Sequence, residues 1–156
     1  MASGFTIILR RATSDDVAAI RDLVRAAYAK WIPAVGREPL PMKADYERAI
    51  REHRIDLLDL NGKVVGLIET MLREDHLWIE NVAVTPDRQG QGLGRRLLAH
   101  AESEAAAAGR AELRLLTNAA FGGNVALYGA LGYRIDREEP FKEGGVTVYM
   151  SKRIAP

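Results

Sequence analysis

The sequence predicts an α/β fold, with a mixed, mostly antiparallel sheet of six or seven strands flanked by about four helices. Three observations predict it. Asn61-Gly62 stands between two apolar runs, and an Asn-Gly pair in that setting is the strongest short-range hairpin signal. Val17, Ile20, Leu23, Val24 and Ala27 recur at helical spacing, so one face of that stretch is built to be buried. The apolar run 77–84 passes through Gly90-Gln91-Gly92-Leu93-Gly94 into an amphipathic helix and a further apolar run. Such a strand–helix–strand crossover is expected to be parallel and right-handed.

Taken in order, residues 5–10 read as the first strand. Thr13-Ser14-Asp15-Asp16 then offers Ser or Asp as an N-cap, with acid in the first turn of a helix reaching about residue 30. Segment 31–42 holds Pro33, Pro39, Pro41 and Gly36 and is expected to lack regular structure. It is also apolar and carries Trp31, which a plain linker would not, so it reads either as a loop packed over a cleft and lining an acceptor site or as one merely pinned to the core by Trp31. Residues 44–52 follow as a short helix with Tyr46 and Ile50 on one face.

Residues 55–60, 63–73 and 77–84 form an antiparallel meander whose last strand feeds the glycine loop. The helix beyond it aligns Leu93, Leu97, Leu98, Ala101 and Ala105, and Gly109 is its expected stop. Residues 111–117 give the next strand. After a short loop with Gly122-Gly123, a helix over 124–131 ends at Gly132. Strands 133–136 and 146–151 complete the sheet. Residues 147–151 are rich in β-formers and read as an edge strand, so a homodimer through that edge is expected.

At 156 residues the chain is long enough for a substantial core and is expected to be a single domain, 1–156. A net charge of +1 argues against a nucleic-acid partner, which calls for a concentrated basic face. No run of 18 apolar residues exists to span a membrane, and the first residues lack the basic and apolar regions of a signal peptide. The expected location is cytoplasmic. With no cysteine, disulfides, thiolate metal sites and a cysteine nucleophile are excluded. His53, His76 and His100 lack metal-ligand spacing, so no metal is expected.

The glycine loop points to a phosphate-bearing ligand. Glycines let the backbone approach a ligand closely, and the unbonded N–H groups at the following helix start make an anion site. Arg88, Arg95 and Arg96 add charge around it. The spacing departs from a dinucleotide fingerprint, since the third glycine position after Gly90 and Gly92 is Arg95. It departs from a Walker loop too, for want of a following Lys-Ser or Lys-Thr. What stands here is Gln89-Gly90-Gln91-Gly92-Leu93-Gly94, preceded by Val84-Thr85-Pro86.

That stretch resembles the [QR]-x-x-G-x-[GA] signature of the GNAT family of acetyl-CoA-dependent N-acetyltransferases. Asn124 with Leu127-Tyr128-x-x-Leu131-Gly132-Tyr133 is similar to the family's segment around the cysteamine end of the cofactor. The opening Arg-x-Ala-Thr-x-x-Asp and the closing Val148, Met150 and Lys152 resemble the same family, so the likeness runs from about residue 6 to 153. The resemblance implies a GNAT-type fold, acetyl-CoA as co-substrate and no metal. It maps the cofactor contacts onto Val82, Ala83, Val84, Gln89, Gly90, Gln91, Gly92, Leu93, Gly94, Arg95 and Asn124, with a backbone N–H of 82–84 supporting the oxyanion.

Acetyl transfer also needs a base and an acid. Glu80 is the candidate base, being the carboxylate in an apolar strand where alternation puts it with Trp78, Val82 and Val84. That setting suits proton abstraction near neutral pH; the bland alternative is a pair with Arg114. Glu69 on the preceding strand is a weaker rival and a candidate to hold a cationic acceptor. Tyr128 is the candidate acid, since a phenol keeps its proton at neutral pH and can serve a departing thiolate. Tyr28 and Trp31 are expected as acceptor-pocket walls, alongside the 31–42 loop. The expected activity is acetyl transfer to a primary amine of a small molecule. Acetylation of a protein N-terminus or lysine is one alternative, and a CoA-binding module without turnover another.

Overall fold

The computed structural model describes residues 6–141 and 145–154. Phe5, expected to begin the first strand, lies outside them. The strands are β1 (Ile7–Arg11), β2 (Arg54–Leu60), β3 (Lys63–Leu72), β4 (Leu77–Val84), β5 (Glu112–Asn118), β6 (Arg134–Pro140) and β7 (Val146–Arg153). They form one sheet in the order β1-β2-β3-β4-β5-β7-β6. Every pairing is antiparallel except β4 with β5. Asn61 (φ 51) and Gly62 (φ 88) make the β2–β3 hairpin as expected.

Among the described residues five α-helices accompany the sheet: α1 (Val17–Tyr28), the single turn α2 (Ile32–Val35), α3 (Tyr46–Glu52), α4 (Leu93–Ala107) and α5 (Gly122–Ala130). Their apolar stripes build a core on each face. On one, Leu97, Leu98, Ala101 and Ala105 of α4 pack with Leu58, Ile68, Leu77, Ile79, Leu113 and Leu115. On the other, Ile20, Leu23, Val24 and Tyr28 of α1 and Tyr46 of α3 pack with Leu57, Leu67 and Ala83. A fully buried leucine such as Leu97 contributes about 2 kcal/mol. The stripes therefore fix which sheet face each helix covers.

Asp16 ties the first strand to the first helix. Its carboxylate accepts the Thr13 N–H at 2.8 Å, and the Arg10 guanidinium grips it through two hydrogen bonds of 2.8 and 2.9 Å. Those bonds hold the Asp16 carboxyl down at about 2.

Several expectations need correction. Segment 31–42 is not irregular: residues 29–31 form a 3₁₀ turn, α2 follows with Pro33 in its first turn, and residues 40–43 form another 3₁₀ turn. Proline fits because first-turn N–H groups have no helical partner to lose. Gly36 (φ 73) closes α2 in the left-handed region. Gly122 and Gly123 belong to the first turn of α5 rather than to a loop. Residues 147–151 are not an edge, because β7 lies between β5 and β6 and is paired on both sides. The stated basis for a homodimer is thereby removed; the sheet ends at β1 and β6.

Candidate active site

The site begins where β4 leaves β5. The two strands pair only through Leu77–Ile79 and Leu113–Leu115, after which β4 follows β3 while β5 follows β7. The wedge leaves residues 80–84 without a strand partner on the β5 side, so backbone N–H groups there can serve a ligand, while the Val84 carbonyl accepts from the Gln89 amide at 3.1 Å and the Val82 carbonyl from the Tyr28 hydroxyl at 3.4 Å.

A bulge at the same place re-aims the side chains. Asn81 lies opposite Glu69 while Ile79 lies opposite Thr70, so Glu80 is the extra residue. An extra residue inverts the alternation beyond it. Leu77 and Ile79 therefore share the α4 face with Val82 and Val84, and Ala83 packs on the α1 face. The expected grouping of Glu80 with Val82 and Val84 is overturned for this reason. Glu80 is exposed and accepts a hydrogen bond from the Trp78 indole N–H at 3.2 Å. Arg114 lies instead at 2.9 Å from Glu112 and 3.6 Å from Asp75.

Two cavities flank the wedge. The first, about 380 Å³, is lined by residues 82–84 of β4, by Arg88, Gln89, Gly90, Gly92, Leu93, Gly94 and Arg95, and by Tyr28, Lys30, Trp31, Asn124 and Tyr128. Gly90 (φ 80) and Gly92 (φ 82) are left-handed, and Gly92 caps α4, which turns the helix's first N–H groups into this cavity's mouth. Gln89 clamps the loop: its amide donates to the Val84 carbonyl at 3.1 Å and accepts from Lys30 Nζ at 2.7 Å. Gln91 lines neither cavity, and its amide reaches the Asp87 carbonyl at 3.5 Å. Arg96 turns away to the Ile7 carbonyl at 3.2 Å, leaving Arg95 as the helix-start cation at the cavity.

The second cavity, about 220 Å³, is walled by Glu80, Asn81, Leu116, Asn118, Phe141 and Tyr149, with Pro39, Leu40 and Pro41 from the expected cleft loop. Tyr28, Val82, Asn124 and Tyr128 line both cavities and so mark their junction. Tyr128 is buried, and that burial pushes its phenol up to about 12. Burial also raises the Tyr28 phenol well above its ordinary value. Trp31 stacks on Phe121 with centroids 4.8 Å apart, and Tyr28 meets Phe121 edge-on at 6.4 Å.

Glu69 lines neither cavity. It is 4% exposed, and His53 Nδ1 lies 2.6 Å from its carboxylate. Burial raises its carboxyl, with the His53 hydrogen bond opposing. Among the described residues one group has cation-ligand geometry, Asp56 with His100 and Glu104. Arg54 already sits 2.8 Å from Asp56 and 3.9 Å from Glu104, and none of these lines a cavity. Sequence reasoning missed Asn81 and Phe121. The signal for Asn81 was present: two successive polar residues, Glu80 and Asn81, interrupt an apolar strand, as a bulge would.

The family model described as the acetyltransferase (GNAT) family matches residues 17–133. The ribosomal protein bS18-alanine N-acetyltransferase of Escherichia coli (strain K12) is 41% identical over 76 residues, covering 49% of this chain and 51% of that protein. The matched stretch spans about half the length of such curated relatives. Over the whole fold, the crystal structure of the ribosomal-protein-S18-alanine N-acetyltransferase from Escherichia coli superposes with a TM-score of 0.74. It is 25% identical, covering 97% of this chain and 96% of that one. The PaiA N-acetyltransferase from Thermoplasma acidophilum, solved in complex with coenzyme A, gives a TM-score of 0.79 at 16% identity, covering 96% and 99%. With three quarters of its length inside the family model, the chain belongs to the acetyltransferase (GNAT) family.

Proposed function

We propose that the protein transfers an acetyl group from acetyl-CoA directly to a primary amine. The observation that carries the reading is the junction: a cavity at a helix N-terminus and a second, roofed cavity share Tyr28, Val82, Asn124 and Tyr128. A donor held in one and an acceptor held in the other would meet there.

The fit to acetyl-CoA rests on the loop. At Gly90 and Gly92 a Cβ would meet nothing within 4 Å, so the open space in front of the α4 N–H groups suits a pyrophosphate. Arg88 and Arg95 supply the cations. The unpaired edge of residues 82–84 offers backbone N–H donors to the thioester oxygen. One preorganised donor of that kind is worth about 3 kcal/mol in the transition state.

In the reaction the amine nitrogen attacks the thioester carbonyl, an N–C bond forms and the C–S bond breaks. Glu80, on the wall of the acceptor cavity, takes the proton of the ammonium, directly or through water. Tyr128 serves the departing sulfur. A phenol at about 12 facing an alkyl thiol near 8.5 would lose about 5 kcal/mol by complete proton transfer. Tyr128 therefore acts by donating a hydrogen bond to the developing thiolate; of the two protons that the ammonium loses, Glu80 passes one on to water and the second ends on the thiol.

The roof of Pro39, Leu40 and Pro41 favours a small amine as acceptor. A second reading, the α-amine of a polypeptide, draws support from the relative that acts on the alanine of a ribosomal protein. The test is a panel of aliphatic amines, amino acids and short peptides with acetyl-CoA, reading released thiol. Amine-dependent release supports the proposal and separates the two acceptor classes. Thiol release that no amine accelerates would overturn it.

A further inference from the structure

We infer that Asn81 is the positioning residue for the acceptor end of the site, an inference that rests on reading the cavity under Pro39–Pro41 as the acceptor cavity. Asn81 is 4% exposed and lies immediately beyond the bulge, on the α1 side of the sheet. A buried amide needs partners, and it has one on each side. Its oxygen accepts from the Tyr28 hydroxyl at 2.7 Å, and its nitrogen donates to the Tyr46 hydroxyl at 3.2 Å. Tyr46 in turn donates to the Pro41 carbonyl at 2.6 Å.

Each hydroxyl has a single proton, so the relay runs one way: Tyr28 to Asn81, Asn81 to Tyr46, Tyr46 to Pro41. Turning the amide over would make Tyr46 donate to Asn81 and release Pro41. The relay joins two parts of the site that share no strand or helix. At one end Tyr28 walls the junction of the cavities, and at the other Pro41 belongs to the roof. Within the roof Leu40 is 54% exposed, while Pro39 is buried and Met42 packs against the core on the α1 side. The Tyr46–Pro41 bond adds a directional tether to that packing and, through Asn81, links the roof to the bulge that also places Glu80.

Two variants test this. Tyr46→Phe keeps the ring and cuts only the roof end of the relay. Asn81→Leu keeps the volume and cuts both ends. For each, acetyl-CoA affinity is measured by calorimetry, KM and kcat with the fastest amine of the panel above, and amide exchange of residues 36–44 by mass spectrometry. In Tyr46→Phe the acceptor KM should rise about tenfold and the 36–44 amides exchange faster, while kcat and acetyl-CoA affinity stay within about twofold. In Asn81→Leu, Tyr28 also loses its 2.7 Å acceptor and keeps only the Val82 carbonyl at 3.4 Å, so kcat should fall about tenfold on top of the KM rise. An unchanged acceptor KM in folded Tyr46→Phe would overturn the inference. So would parallel losses of acceptor and acetyl-CoA binding, which mean general loosening. Should Asn81→Leu fail to fold, Tyr46→Phe decides alone. If wild-type protein turns over no amine of the panel, the acceptor reading falls, and this inference falls with it.

Discussion

Tyr128 and Glu80 stand at the same wedge in opposite environments, one buried and one exposed. Their expected defects differ accordingly. Tyr128→Phe keeps the ring that packs 5.7 Å from Tyr133 and removes only the hydroxyl. Acetyl-CoA affinity should change little, while the single-turnover rate should fall by about 10²–10³-fold, as for the loss of one preorganised donor. Near-normal single turnover would leave Tyr128 a packing residue. Glu80→Gln should lower kcat/KM most at low pH, where the amine arrives protonated, and least at high pH, where it has lost its own proton. A defect independent of pH would mark Glu80 as structural. At this scale the sequence singled out Tyr128, Asn124 and Arg95, which the structure places on the cavity walls, their roles being proposals. It misdirected where alternation was extended across the bulge, because a single extra residue inverts every side chain after it. Glu69 shows the same difficulty, since nothing local announces a buried pair with His53, sixteen residues away in sequence.

Among the elements, the loop before α4 has the sharpest requirement. At φ +82, Gly92 is the position where an L-residue is strained, yet a Cβ there meets no atom within 4 Å. Gly92→Asp should fold at a cost of about 1–2 kcal/mol and put a carboxylate at the helix start. Calorimetry should then show CoA binding abolished; unchanged affinity in the folded variant would contradict the assignment of the loop. The β1–α1 connection makes a separate prediction. The Arg10 hydrogen bonds hold the Asp16 carboxyl at about 2, below its ordinary 3.8. A depressed carboxyl stabilises the fold above its unfolded value and loses that contribution as pH falls through the folded one. Asp16→Asn should therefore cost about 1–2 kcal/mol at neutral pH, allowing for screening at the partly exposed Arg10. The deficit should fade from about pH 4 and vanish near pH 2, as denaturant titrations would read it. Helices and hairpin were legible because periodicity and Asn-Gly are local signals. The two 3₁₀ turns and α2 were not, because proline was read as a breaker where it occupies a first turn.

At the scale of the molecule, the site is a consequence of strand order. A parallel β4–β5 pair that parts after three residues, set between antiparallel neighbours, opens one sheet edge in the middle of the fold. The residue pattern foretold the parallel crossover, while an open strand at 82–84 was implied only by the family resemblance, because the parting depends on which partner each strand keeps, a long-range choice. For the same reason β7 was mistaken for an edge: strand composition does not reveal sheet order. The wedge places the two cavities in contact, and the chain has no cysteine to carry an acetyl group between them. Under the proposed function, transfer is therefore direct, with both substrates bound. Initial velocities measured over a grid of acetyl-CoA and acceptor concentrations test that claim most directly, with intact mass of the protein after acetyl-CoA alone read alongside. Intersecting double-reciprocal lines and an unmodified protein are the predicted result; parallel lines, with an acetylated protein that the acceptor discharges, would contradict it.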